Sequence, residues 1–217
     1  MSPASGPTQV ERLTVLLRER VLGGDLPPGH RLREEALAAE YGVARHTVRA
    51  ALRALAAQRL AVVEPHRGAR VAALDTGALR DLFELRAALE VEAARLLTER
   101  RGLDPWPDGV VAAAAALDEA CARPEPDRGA VDAAHAALHH ALVAAAGSPR
   151  ITAAHAGLEV ESRLALVQSR RTLPVDRMAA LHRDLLVRLR AEGPDALRRH
   201  LHEGATLAGG GPGTPPG

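Results

Sequence analysis

The stretch "GVARHTVRAALRAL" (residues 42–55) decides the fold of the N-terminal part of the chain. Val48, Leu52 and Leu55 recur at the three- and four-residue spacing of a buried helical stripe, which predicts a helix over 45–58. The other positions in its first two turns are polar: Arg45, His46, Thr47 and Arg49. Such a face is typical both of a helix that enters a DNA groove and of an ordinary solvated helix. The neighbouring segments have to decide between these two interpretations.

Those segments complete the pattern of a winged helix-turn-helix. Apolar periodicity predicts two earlier helices, over 9–22 and 34–41, and "GGDLPPG" between them contains the glycine and proline that interrupt helices. Gly42 suits the left-handed residue that ends a helix before a tight turn. After the third helix, "LAVVE" and "ARVAA" have strand character and flank the turn "PHRG". Three helices followed by a β-hairpin wing predict a winged helix-turn-helix domain over 9–73.

The order of these elements favours DNA binding over a merely solvated helix. The second helix of a helix-turn-helix enters the major groove by its N-terminal end, where an arginine fork can bond guanine. Residues 1–73 carry 11 Arg and 7 acidic residues, a net charge of +4, which suits a nucleic-acid partner. We therefore expect operator contacts from the third helix and from the tip of the wing: Arg45, His46, Thr47, Arg49, His66, Arg67 and Gly68.

The composition of the sequence indicates the cellular compartment. Cys121 is the single cysteine, which excludes an intramolecular disulfide and fits a reducing cytoplasm. The sequence contains no apolar run near 18 residues and no signal-peptide pattern, so we expect a cytoplasmic protein without a membrane partner. Residues 1–8 are predicted to be a flexible N-terminus, and "GGGPGTPPG" (209–217) a disordered tail.

After Asp75 the patterns are helical only. The predicted helices together form an all-α bundle over 76–208, and the fold class is therefore mainly α. The predicted spans are 76–102, 109–122, 129–146, 150–170, 175–191 and 194–208.

Histidines are concentrated in this bundle, with seven of the ten after residue 130. His135 and His139 are four residues apart and share a helix face, while His182 and His200 lie on apolar stripes of two other helices. A single inward histidine is more often a core residue than a ligand. Four inward imidazoles from three helices instead favour a metal site for an ion of the Zn or Ni type.

Residues 10–73 resemble the DNA-binding domain of the GntR family of bacterial transcription regulators. "LPPGHRL", "LAAEYGVARHTVRAAL" and "RGARV" match that family's successive motifs. Ala44 departs from the pattern, because the family usually has Ser or Thr there to cap the recognition helix. The resemblance implies operator contacts at Arg45, Arg49 and the Gly68 wing tip.

The helical part resembles the FCD effector-binding domain of the FadR-type branch of that family. Arg86 and Glu90 match the opening R-x-x-L-E motif, and "HAALHHALVAAAGSPRI" and "LHRDLLVRL" match later motifs. The resemblance implies a homodimer, a divalent metal held by one aspartate and three histidines, and a small organic acid as effector. We expect Arg86 or Arg163 to pair with the effector carboxylate.

Carried over residue by residue, the resemblance assigns His139 and His182 as metal ligands. His135 stands where the family has aspartate, so the site would be formed by imidazoles alone. For the last ligand we expect His200 in preference to His202, because one helical turn is missing after His182 and His200 stays on the same face.

Three functional hypotheses follow. The first is a homodimeric transcription regulator in which an effector in the helical bundle alters the spacing or mobility of the two DNA-binding domains. The second is a metal-responsive regulator in which the ion itself is the signal. The third, a metal-dependent enzyme, is disfavoured because alanines surround His135 and His139 where a hydrolytic zinc site would place a carboxylate base.

Overall fold

A computed structural model of the chain describes residues 6–64, 67–169 and 173–208. The chain forms two compact units, residues 1–73 and residues 74–217. The first unit contains helices and a small sheet, and the second contains helices. Among the described residues, no helix combines the length and the apolar character that crossing a membrane requires.

The first unit is a winged helix-turn-helix, as predicted. Its three strands form one antiparallel sheet with β3 in the middle, and β2 and β3 form the wing. The strand β1 was not predicted; it has two residues, too few for an alternating pattern, and pairs with β3. The elements are α1 (Gln9–Gly23), β1 (Arg31–Leu32), α2 (Glu34–Tyr41), α3 (Arg45–Ala57), β2 (Ala61–Glu64) and β3 (Gly68–Val71).

The recognition helix α3 is held by its apolar stripe. Val48, Leu52 and Leu55 are buried, and α3 packs against α1 and α2. Gly42 ends α2 with a φ of 63°, a left-handed conformation that glycine adopts without the steric cost a side chain brings. This turn places the polar N-terminal end of α3 outside the core.

The second unit consists of helices from Asp75 onward. The predicted single helix over 150–170 was wrong, because the chain turns at Gly157 and Leu158. There the amide N–H of Leu158 donates to the carbonyl of His155, three residues back, instead of continuing the α-helix. The helices are α4 (Thr76–Arg100), α5 (Asp108–Ala122), α6 (Arg128–Ala145), α7 (Pro149–Ala156), α8 (Glu159–Ser169), α9 (Val175–Glu192) and α10 (Pro194–Ala208).

Helices α4, α6, α9 and α10 bring functional side chains into the middle of the second unit. α4 packs against α6 and α10, and α9 packs against α5 and α10. Their buried leucines, including Leu97, Leu138, Leu185 and Leu197, form one apolar core. Polar side chains on the same inward stripes are therefore buried beside this core.

Ala44→Ser should stabilise the first unit. Ala44 is the N-cap residue of α3 and supplies no side-chain acceptor, while its extended backbone suits a cap. A serine hydroxyl would accept from a free N–H in the first turn, which contributes about 1 kcal/mol. Urea unfolding of the full chain would measure the gain.

The control is Ala39→Ser, at an exposed position within α2 where the hydroxyl cannot cap. It should be neutral or slightly destabilising, since serine is a weaker helix former than alanine. Equal unfolding free energies for Ala44→Ser and the wild type would contradict the missing-cap interpretation.

Candidate functional site

Four histidines meet inside the second unit. His135 and His139 project from α6, His182 from α9 and His200 from α10, and one ring nitrogen of each lies within 4.8 Å of the others. His200 is half-buried and the other three are buried, whereas His202 is exposed. The structure thus brings together the four histidines that were expected as ligands.

A buried carboxylate, Glu90 on α4, lies next to this histidine cluster. The Glu90 side chain is 1% exposed. Arg86 donates from Nε to Glu90 Oε1 at 2.7 Å, and His155 Nε2 lies 3.2 Å from the same oxygen. His139 Nδ1 lies 2.6 Å from the other oxygen, Oε2. Glu90 therefore links α4, α6 and α7.

These contacts determine where the protons lie on two of the imidazoles. Glu90 accepts a hydrogen bond from His139 Nδ1, and the carbonyl of Met178, which can only accept, lies 2.7 Å from His182 Nδ1. With Nδ1 protonated in each neutral ring, both Nε2 atoms carry a lone pair. These two Nε2 atoms are 3.3 Å apart. Two lone pairs at that distance repel each other unless a cation or a shared proton lies between them.

Burial keeps the imidazoles neutral near pH 7. Desolvation lowers the pKa of His182 to about 3 and also lowers the pKa values of His135, His139 and His200. Burial would raise the pKa of Glu90, but the charge of Arg86 and the contacts with His139 and His155 hold it well below its ordinary value. Neutral nitrogen donors thus lie beside an ionised carboxylate.

The donor set fits a divalent ion of the Zn or Ni type. Imidazole nitrogen suits these ions, and His135 Nδ1 is a buried atom without a hydrogen-bond partner among the described residues. An ion about 2.1 Å from each of two nitrogens holds them at most about 4.2 Å apart. One nitrogen of each of the four histidines lies within 4.8 Å of the others, so the most widely separated of them would have to move closer together on binding.

A cavity of about 310 Å³ adjoins the histidine cluster and lies within the second unit. Arg86 and the four histidines line this cavity. Arg86 uses only its Nε in the hydrogen bond to Glu90. Within the described part of the chain the terminal amino groups of Arg86 make no hydrogen bond, so they are available to an anion. Arg163 does not line this cavity, although a role in effector binding was expected; its Nε is buried on α8 without a partner among the described residues.

Glu90 and His155 were missed as parts of the site. Glu90 was noted only as part of a motif, yet its position carried a signal, because it follows Arg86 by four residues on a stripe that is otherwise apolar. That stripe consists of Leu79, Leu82, Arg86, Glu90, Ala93 and Leu97, all buried. His155 carried no comparable signal, since the break between α7 and α8 was not predicted.

The second candidate surface is the N-terminal end of α3. Arg45 and Arg49 are exposed there, as is His46. Arg49 donates from Nε and Nη2 to both carboxylate oxygens of Glu34, at 2.9 and 2.7 Å, and Arg45 lies 2.8 Å from Glu35. Exposed pairs of this kind contribute little to stability, so DNA phosphates or bases can replace the glutamates at small cost.

The side chain of Thr47, which was expected to contact DNA, is buried. It is 4% exposed, because it lies one and two turns before Ala51 and Leu55 on the buried side of α3. A DNA contact of Thr47 therefore stays a prediction, for which the fold leaves only a small exposed area of the side chain. Arg67 and Gly68 lie exposed at the wing turn, and Gly68 has a φ of 83° that favours glycine. His66 lies outside the described residues.

A winged helix followed by a helical unit with a histidine-lined cavity indicates a DNA-binding regulator, and comparison with known families agrees. Residues 9–71 match the family model described as bacterial regulatory proteins, gntR family, and residues 81–204 match the FCD domain model. The chain belongs to the GntR family of transcription regulators and carries an FCD domain.

Known relatives are also transcription regulators. The chain is 31% identical over 196 residues to the HTH-type transcriptional repressor GlaR of Escherichia coli (strain K12), covering 85% of this chain and 89% of GlaR. It is 31% identical over 182 residues to the probable D-xylose utilization operon transcriptional repressor of Paenarthrobacter nicotinovorans, covering 82% of this chain and 79% of that protein. Because the family and these relatives are regulators, the metal-dependent enzyme hypothesis is rejected.

The fold is shared with a solved structure. A GntR regulator from Rhodococcus sp. RHA1 superposes with a TM-score of 0.74 at 24% identity, covering 94% of this chain and 99% of that one.

The free energy of unfolding of the metal-free protein should decrease as the pH falls below about 6.5. Folded His182 has a pKa of about 3, whereas a histidine in the unfolded chain titrates near 6.5. Between these values the unfolded state binds more protons, so acid favours unfolding. The slope is up to about 1.4 kcal/mol per pH unit for each histidine that stays neutral in the fold.

Urea unfolding of chelator-treated protein between pH 7.5 and 5.5 would measure this slope. His182→Gln should reduce it, because the variant lacks one of the titrating groups. A slope as steep in His182→Gln as in the wild type would contradict the assignment of His182 as a neutral buried imidazole.

Proposed function

We propose that this transcription regulator binds its operator as a homodimer in the cytoplasm and that a carboxylate effector, held beside a divalent metal in the FCD domain, controls this binding. The single observation that carries the proposal is the 3.3 Å approach of the Nε2 atoms of His139 and His182 within the histidine cluster beside the cavity. Both of the relatives described above are named repressors, which supports repression as the mode of action.

The exposed end of α3 is the proposed surface that binds the major groove. Arg45 and Arg49 present exposed guanidinium groups at the edge of the buried stripe that contains Val48 and Leu52. Glu34 and Arg49 form a two-point contact of the geometry that guanine O6 and N7 also offer an arginine. Arg67 and Gly68 at the wing would contact the neighbouring groove, while His46 would bond phosphate or a single base.

The cluster of His135, His139, His182 and His200 is the proposed metal site. Two of its rings are oriented by acceptors at Nδ1, namely the Glu90 carboxylate and the Met178 carbonyl. Protein metal sites commonly orient histidine ligands in this way, which also selects the tautomer that can bind the ion. When bound, the ion would supply a Lewis-acidic centre for an effector carboxylate.

Charge at the cavity favours an anionic effector. The four imidazoles are neutral, and the charges of Arg86 and Glu90 cancel, so a divalent ion would leave the site with a net positive charge. The family's usual aspartate ligand would reduce that charge by one, but His135 occupies its position. A carboxylate bound between the ion and the terminal amino groups of Arg86 would compensate the charge.

Regulation requires that the effector bind the DNA-competent and DNA-incompetent states of the dimer unequally. The same requirement holds if the ion alone is the signal, since both ligands would enter the same site. Measuring operator affinity with metal alone, and then with metal and a carboxylate, separates these two forms of the proposal.

Arg45→Ala and Arg49→Ala should each weaken operator binding by about tenfold or more. Each removes a guanidinium that can discriminate a base by roughly 1–3 kcal/mol. The probe would be a duplex selected from a random-sequence library by repeated binding to the wild-type protein, and the measurement a gel-shift titration. Arg95→Ala removes the same charge from the surface of α4 and should change the affinity by less than about twofold. Undiminished binding by both α3 variants would refute the proposed surface.

His139→Ala should abolish metal binding, whereas His202→Ala should retain it. His139 belongs to the cluster and is oriented by Glu90, while His202 is exposed and outside it. Elemental analysis of protein purified without a histidine tag would report the bound ion per chain. Glu90→Gln should lower metal affinity by about 10- to 100-fold. A wild-type protein that takes up no Zn²⁺ or Ni²⁺ would remove the metal from the proposal.

A further inference from the structure

The cavity beside the histidine cluster has two chemically different parts. One part contains the four histidines and Arg86. The remaining wall is largely apolar and is contributed by α4, α8, α9 and α10, together with Leu173 just before α9. Its apolar members are Phe83, Ala165, Leu166, Leu173, Leu181, Leu201, Leu207 and Ala208.

From this division we infer that the effector is a monocarboxylate with an apolar tail of about six to eight carbons. The inference rests on the proposed carboxylate site and names the class of acid that this chain selects. A volume of about 310 Å³ lies at the lower end of the range of small-molecule pockets, and so suits a small ligand of about ten non-hydrogen atoms. The carboxylate would lie at Arg86 and the histidines, and the tail would lie against the leucines.

A polyhydroxylated acid finds few partners in the same cavity. Three hydroxyl side chains line it, but Ser169 donates to the Leu166 carbonyl and Thr206 donates to the His202 carbonyl, both at 3.1 Å. Among the described lining residues, Ser162 is the remaining hydroxyl, and the imidazole of His202 is exposed to solvent. A sugar acid would bury several hydroxyl groups beside leucines, and a buried hydroxyl without a partner weakens binding.

A dicarboxylate is also disfavoured by the charges of the lining residues. Arg177 and Glu203 also line the cavity, and both are exposed to solvent. A second carboxylate at the far end of a six- to eight-carbon chain would therefore meet apolar side chains or the exposed Arg177, where an ion pair contributes little. Each methylene of an apolar tail instead tightens binding by about three- to fourfold where it is fully buried.

Calorimetric titration of the full chain, loaded with one equivalent of Ni²⁺ and dialysed, tests the inference. The ligands are the sodium salts of acetate, butyrate, hexanoate and octanoate, with gluconate and suberate as the hydroxylated and dicarboxylic comparators. Octanoate should bind at least about tenfold more tightly than butyrate, and more tightly than gluconate or suberate. Tighter binding of gluconate or suberate overturns the inference but leaves a carboxylate site in place. Failure of every acid to bind overturns both the inference and the proposed function.

The variant Leu181→Ser tests whether the apolar tail of the ligand lies against Leu181. Leu181 is half-buried on α9 and lines the cavity, so the variant should lose about tenfold in octanoate affinity while binding acetate as the wild type does. The matched control is Leu186→Ser, a half-buried leucine of the same helix that does not line the cavity, and it should retain the affinity for octanoate. If Leu181→Ser does not fold, Leu181→Ala makes the same comparison. Octanoate affinity that is unchanged in the Leu181 variant, or equally reduced in the Leu186 variant, overturns the placement of the tail.

Discussion

The buried carboxylate of Glu90 is the constraint on which the effector domain depends. An ionised carboxylate in an apolar core is strongly unfavourable unless neighbouring groups compensate its charge and fill its hydrogen-bonding positions. Glu90 meets this requirement through Arg86 on its own helix, His139 on α6 and His155 at the end of α7. Three helices must therefore pack in one arrangement for the charge to be tolerated. The same contacts orient His139, so the stability of the core and the geometry of the histidine cluster have a common origin.

The arginine ion pairs of the two units differ in burial and therefore in function. Arg86 is buried, and its pairing with Glu90 compensates a charge that would otherwise be isolated. Arg45 and Arg49 are exposed, and their glutamate partners orient them without contributing much stability. The buried pair is consequently a fixed part of the core, whereas the exposed pairs can exchange a glutamate for a nucleic acid. Burial, more than distance, separates these roles, since all three contacts are between 2.7 and 2.8 Å.

The cavity connects the histidine cluster with an apolar wall and thereby separates two aspects of recognition. In the proposed function, a bound divalent ion would give the histidine end a net positive charge that attracts any carboxylate. The leucines would select among carboxylates, because their contribution grows with the apolar surface of the ligand.

The amino-acid sequence by itself determined most of the elements and the faces that they bury. Periodic apolar residues, the turn at Gly42 and the inward stripes that carry His139 and His182 depend on local geometry, which a single segment contains. Only the tertiary structure decided which stripes meet. Glu90 and His139 are 49 residues apart, and the break at Gly157 that brings His155 to the same carboxylate is not marked by any periodicity. Contacts of this kind depend on how helices cross, and crossing is set by the packing of side chains from several segments at once.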